Sequence, residues 1–73
     1  MKTRAVQKRS VTVNGHRTSV TLEKEFWDSL KEISLLNKKS VNSIVEEIDK
    51  NNPQNLSSAV RVFILNFYIT MRT

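Results

Sequence analysis

The sequence contains no cysteine, and only one glycine, one proline and one histidine occur among its 73 residues. Without cysteine, no disulfide can stabilise so short a chain and no thiolate can bind a metal ion. The histidine, His16, would need further metal ligands that the sequence does not supply. A nucleophile with a partnered base and a glycine-rich phosphate loop are missing too. We therefore expect no metal, no cofactor and no enzymatic activity.

Long apolar runs are missing as well. No stretch approaches the roughly 20 residues that a membrane-spanning helix needs, and residues 1–15 are basic and polar, unlike a secretory signal. These absences predict a cytoplasmic protein without a membrane partner. Because a chain of this length buries only a modest core, association with a second copy is the remaining route to stability.

The positive charge is concentrated at the start of the chain. Residues 1–18 hold five basic side chains and no acid, whereas residues 19–73 carry seven of each sign, so the start supplies the net charge of +5. Such asymmetry is typical of a protein that binds a polyanion. We predict a flexible basic arm over residues 1–9 that contacts flanking phosphates. Its basic residues are Lys2, Arg4, Lys8 and Arg9.

Residues 10–22 have the pattern of a β-hairpin. β-branched residues lie on both sides of Asn14-Gly15, the strongest short-range signal for a two-residue turn. A tight turn pairs Val13 with His16, and this register separates the side chains by face. The apolar face carries Val11, Val13, Thr18, Val20 and Leu22. The polar face carries Ser10, Thr12, Arg17, Ser19 and Thr21.

Three helical segments follow, and residues 10–73 are expected to form one domain. Apolar residues recur at helical spacing from Glu23, again after a cap at Ser40, and again over residues 57–71, beyond a break around Pro53. The third helix has a wider apolar face than a surface helix needs, which indicates burial on two sides in a dimer. The residues expected in the core or dimer interface are Val20, Leu22, Phe26, Trp27, Leu30, Ile33, Ile44, Val45, Ile48, Val60, Phe63, Ile64 and Phe67.

Several stretches together resemble the ribbon-helix-helix family of bacterial DNA-binding proteins, to which the Arc and Met repressors belong. They are the strand Arg17-Thr18-Ser19-Val20-Thr21-Leu22, the helical spacing of Phe26, Leu30 and Ile33, and Lys39-Ser40-Val41-Asn42-Ser43. Gly15-His16-Arg17-Thr18-Ser19, Leu22-Glu23, Phe26-Trp27 and Asn55-Leu56-Ser57-Ser58-Ala59 are similar to a bacterial subgroup with an added C-terminal helix. The resemblance implies a mainly α fold with a short β element, namely an intertwined ribbon-helix-helix homodimer with an N-terminal hairpin and a third helix.

The resemblance also implies a transcriptional regulator that binds double-stranded DNA, with dimers that can assemble further along it. The base-facing strand positions carried over from the family are Arg17, Ser19 and Thr21. The phosphate-contacting positions at the start of the second helix are Lys38, Lys39, Ser40, Val41 and Asn42. Physically, a strand presents alternate side chains to the major groove, and the free N–H groups of a helix N-terminus suit phosphate. An added strand at Ser10 to Val13 makes the dimer's sheet four-stranded, which puts entry into the groove in question.

Two alternatives remain open. The apolar excess of the third helix also fits a protein-interaction module, an adaptor or antitoxin-like protein whose third helix binds a protein partner. Its residues are Val62, Leu65, Ile69 and Met71. The basic arm alone would support non-specific association with nucleic acid or an anionic membrane surface.

Overall fold

The computed structural model describes residues 6–72. The elements in chain order are β1 (Val6–Val13), β2 (His16–Glu23), α1 (Lys24–Asn37), α2 (Val41–Asp49) and α3 (Leu56–Arg72). A β-hairpin followed by three helices is the fold class that the sequence predicts. Within the described residues, no helix is long and apolar enough to cross a membrane. Lys2 and Arg4 of the predicted basic arm lie outside the described residues.

The two strands pair in the predicted register. Asn14 and Gly15 have φ angles of 51° and 78°, the positive values that a two-residue hairpin turn requires. The ladder runs from Val13 opposite His16 back to Val6 opposite Glu23. It is longer than the sequence suggests, and the boundary placed after residue 9 falls inside β1. The physical reason is the length of β2, which offers main-chain partners even to the polar stretch before Ser10.

The helix boundaries follow from local capping. α1 ends where Lys38 adopts a left-handed conformation, with φ of 55°. α2 begins after Ser40, whose Oγ accepts a hydrogen bond from the Ser43 N–H at 3.0 Å, so the predicted cap is present. α3 begins after Asn55, whose side chain accepts a hydrogen bond from the Ser58 N–H at 2.9 Å.

The hydrophobic core lies between one face of the hairpin and the three helices. Its buried members are Val11, Val13, Val20, Leu22, Trp27, Leu30, Ile33, Ile44, Val45, Ile48, Val60 and Ile64. Three aromatic residues expected in the core, Phe26, Phe63 and Phe67, are half-buried and pack against it. One face of the hairpin is therefore packed against the helices, and its opposite face is exposed to solvent.

Candidate nucleic-acid interface

The outer face of the hairpin brings polar side chains from both strands together. The β2 residues on this face are Arg17, Ser19 and Thr21, and the β1 residues directly opposite them are Thr12, Ser10 and Lys8. Five of these six residues are exposed, and Thr21 is half-buried. The strands alternate because Val11, Val13, Val20 and Leu22 point to the core. The three residues predicted to face bases thus share one surface, and β1 widens it.

The electrostatics of this outer face favour an anion. Lys8 and Arg17 supply positive charge, and the six side chains include no acid. Glu23, at the end of β2, accepts a hydrogen bond from Arg61 Nε at 3.0 Å, so its charge is compensated locally. A polar surface with net positive charge and several hydroxyl groups can contact both base edges and phosphates.

Arg9 lies on the other face of the hairpin, although the sequence groups it with Lys8. Its guanidinium lies 4.8 Å from the centre of the Trp27 ring and donates a hydrogen bond to Gln7 Oε1 at 2.9 Å. Trp27 Nε1 donates to the Gln7 carbonyl at 2.9 Å, which satisfies the buried indole. The structure therefore separates the two basic residues, with Lys8 beside Ser10 and Thr12 and Arg9 above the tryptophan.

The start of α2 is attached to the free edge of β1. Asn42 Oδ1 accepts a hydrogen bond from the Thr12 N–H at 2.8 Å, and Asn42 Nδ2 donates to the Thr12 carbonyl at 2.6 Å. One turn later, Glu46 accepts a hydrogen bond from the Asn14 N–H at 3.1 Å. These bonds place the N-terminus of α2 beside the hairpin.

The hydrogen bonds at the start of α2 show which phosphate-binding groups remain free. Ser40 Oγ caps Ser43, and the Asn42 side chain is bound to Thr12. Within residues 6–72, the main-chain N–H groups of Val41 and Asn42 have no protein acceptor. They lie in the first turn of the helix, where the dipole is positive, and they are the donors left for an anion.

The two lysines before α2 differ in their partners. Lys39 Nζ lies 2.8 Å from Glu47 Oε2, and this hydrogen bond together with the charge of Lys39 lowers the pKa of Glu47. The side chain of Lys38 has no bonded partner among the described residues. Lys38 is therefore the uncompensated positive charge beside the N-terminus of α2.

The start of α3 contacts the free edge of β2, which sequence reasoning did not foresee. The Thr21 N–H donates a hydrogen bond to Ser57 Oγ at 3.0 Å, and Arg61 Nη2 donates to the Thr21 carbonyl at 3.2 Å. Ser57 and Arg61 are one helical turn apart and therefore share a face. That polar pair within an apolar helix is the signal that could have indicated them.

Comparison with known proteins agrees with this geometry. The model of the ribbon-helix-helix domain family matches residues 6–68. The structure is similar to that of an uncharacterized protein from Bordetella pertussis Tohama I, with a TM-score of 0.80 and 31% sequence identity. The similarity covers 94% of this chain and 60% of that protein, so the chain spans less than two thirds of its relative. None of the curated proteins compared with the chain matches it.

Proposed function

The chain belongs to the ribbon-helix-helix domain family, whose members generally bind DNA and regulate transcription, and we propose that it is a homodimeric transcriptional regulator. In this proposal the β2 strands of two copies pair in antiparallel orientation across a two-fold axis. The polar face of the ribbon then meets the major groove through Arg17, Ser19 and Thr21. The observation that carries the proposal is the acid-free outer face of the hairpin, which is exposed opposite the core.

The two strands of the hairpin would contact different parts of DNA. Strands lie about 4.8 Å apart, so four of them span roughly 14 Å between the outermost strands. The major groove is about 12 Å wide. The central β2 pair therefore fits between the groove walls, and each β1 lies over a wall. Arg17 and Ser19 would meet base edges, whereas Lys8 would meet phosphate.

In this proposal the start of α2 binds the phosphates. The unpaired N–H groups of Val41 and Asn42 and the side chain of Lys38 would bind one phosphate beyond each β1 edge. Ser40 supports this site as a helix cap, and the Asn42 side chain supports it through Thr12. The role of Lys39 is the weakest of the five predicted phosphate contacts, because its charge is already paired with Glu47.

A salt-dependent DNA titration tests the proposal. Fluorescence anisotropy with a labelled random-sequence duplex should show affinity that falls steeply as salt rises, since each phosphate contact releases counterions. Arg17→Ala should weaken this binding and lower the slope of log affinity against log salt by up to about 0.9, because it removes one positive charge from the DNA-facing surface. The matched control is Arg72→Ala, which removes the same charge from the exposed end of α3. Absent or salt-insensitive binding would contradict the proposal.

The exposed apolar stripe of α3 supports a second candidate function, that of a protein-interaction module. Val62, Leu65 and Ile69 are 52%, 57% and 53% exposed in the single chain. They follow helical spacing and form one surface. Leu65→Lys separates the alternatives. If a second copy covers the stripe, the dimer weakens in sedimentation equilibrium; if another protein covers it, the dimer and its DNA binding stay intact.

A further inference from the structure

The edge of β2 that faces away from β1 is open around Arg17 and Ser19, where its main-chain groups are unbonded, and closed at Thr21, where they are bonded to α3. In an antiparallel pair, the N–H and C=O groups of alternate residues point away from the partner strand. Those of Thr21 point outward and are bonded to Ser57 and Arg61. The main-chain N–H and C=O groups of Arg17 and Ser19 also point outward, and within residues 6–72 no group is hydrogen-bonded to them at this edge.

An open edge of this kind is a template for another strand. A second copy fits it, because one strand can pair with itself about a two-fold axis and satisfy both sets of groups reciprocally. This step rests on the proposed homodimer. The apolar stripe of α3 favours the same occupant. It lies next to the helix face that contacts β2, so a copy added at the edge comes close to it.

The dimer ribbon can carry the polar side chains of both copies on one face only in every second register. A shift of one strand by one residue would place its polar side chains on the opposite face. Three such two-fold registers are centred within the open segment, on Arg17, Thr18 or Ser19. The register centred on Arg17 sets two guanidinium groups directly opposite each other, which is repulsive. The register centred on Ser19 sets Arg17 opposite Thr21, whose outward groups are already bonded to α3.

We propose that α3 sets the register of the dimer ribbon, by closing the β2 edge at Thr21 so that two copies pair about Thr18. In this register Arg17 of each copy lies opposite Ser19 of the other, and the open groups of both residues are satisfied. The centre of the ribbon then presents two Arg17–Ser19 pairs to DNA. Thr21 lies outside the paired segment, beside the start of α3.

The absence of cysteine from the chain makes disulfide mapping a direct test. In the proposed register, the Thr18 Cα atoms of the two copies lie about 4.5 Å apart, as in a non-hydrogen-bonded pair. Disulfides need a separation of about 4.4–6.8 Å, so Thr18→Cys should form a covalent dimer on mild oxidation. Ser19→Cys is the matched control. Its diagonal separation of about 7–8 Å should leave little or no covalent dimer.

The reverse pattern, crosslinking at Ser19 and not at Thr18, would overturn the register, as would equal crosslinking at both positions. A dimer in sedimentation equilibrium with no crosslink at either position would overturn it too. A monomer at all concentrations would instead refute the proposed homodimer, so the two failures are distinguishable. A second variant tests the role of α3. Combining Ser57→Ala and Arg61→Ala with Ser19→Cys frees Thr21, and the Ser19 crosslink should then appear; its continued absence would contradict a role for α3.

Discussion

The side-chain amide of Asn42 binds both main-chain groups of Thr12, at 2.8 Å from the N–H and 2.6 Å from the carbonyl oxygen. The two residues are 30 positions apart, so this contact links α2 to the hairpin directly. Thr12 in turn lies opposite Arg17 in the ladder. The Asn42 side chain is therefore one of the contacts that set the position of the helix N-terminus relative to the outer face of β2, beside the hydrogen bond from Asn14 to Glu46.

Removing that side chain should cost both stability and DNA affinity. Each net hydrogen bond contributes about 0.5–1.5 kcal/mol, so Asn42→Ala should lower the free energy of unfolding by about 1–3 kcal/mol. Urea unfolding followed by the fluorescence of Trp27, the only tryptophan, measures the change. DNA affinity should fall as well, because the donors at the start of α2 lose their fixed position. Asn66→Ala, at an exposed position on α3, is the matched control and should show neither loss.

Asn42 and Thr12 also show how far sequence reasoning extends. The Asn14-Gly15 turn determines the register of the hairpin, and the register determines the two faces, so the outer face could be predicted from local pattern alone. The contacts of Asn42, Ser57 and Arg61 with strand edges join residues 30 to 40 positions apart. A local pattern can mark Ser57 and Arg61 as a polar pair on one helix face, but it does not specify their partners, because these depend on where the helices pack.

The extension of β1 to Val6 has a similar cause. The residues Gln7, Lys8 and Arg9 carry little strand propensity, and composition alone assigns them to a flexible arm. They are paired because Leu22, Thr21 and Val20 lie opposite them, and the main-chain groups of Leu22 and Val20 point toward β1. Pairing with β2, together with the contacts of Gln7 and Arg9 with Trp27, orders a polar segment that the sequence assigns to an arm.

The hairpin turn should be sensitive to a side chain at Gly15. Its φ is +78°, and a Cβ built there meets no atom within 4 Å. The cost of Gly15→Ala is therefore backbone strain rather than a clash, about 1–2 kcal/mol for a left-handed residue. Thermal unfolding should show a lower midpoint. Asn14→Gly is the control, because Asn14 also has positive φ, 51°, and glycine adopts it readily; a comparable loss there would contradict this explanation.

The contact between Tyr68 and Glu32 should be visible in the titration of the only tyrosine. The hydrogen bond from the Tyr68 hydroxyl to Glu32 favours the neutral phenol and raises the pKa of Tyr68 above its usual 10.0. Because this pKa is raised on folding, the stabilising contribution is present below pH 10 and is lost as the pH rises through the pKa of the folded state. Phenolate absorbance against pH measures the shift.

Glu32→Gln removes the charge and should bring the pKa of Tyr68 back toward its usual value. Glu47→Gln makes the same chemical change on α2, where the carboxylate is paired with Lys39, and should leave the titration of Tyr68 unchanged. An identical Tyr68 titration curve in the wild-type protein and Glu32→Gln would show that the contact is not formed in solution.

Lys8 and Arg9 are neighbours in sequence on opposite faces of β1, and their alanine variants should separate DNA binding from stability. Lys8→Ala should reduce the slope of log affinity against log salt by about 0.9 for each phosphate that the variant no longer neutralises. Its unfolding should stay unchanged, because Lys8 is exposed on the outer face. Arg9→Ala should do the opposite. It removes the guanidinium 4.8 Å from the Trp27 ring, an interaction that contributes about 0.5–1 kcal/mol at an exposed site, and should alter Trp27 fluorescence while leaving the salt slope close to that of the wild type. If both variants changed the salt slope equally, the two residues would act together as a basic arm, and the separation of the hairpin into a DNA-facing side and a core-facing side would be wrong.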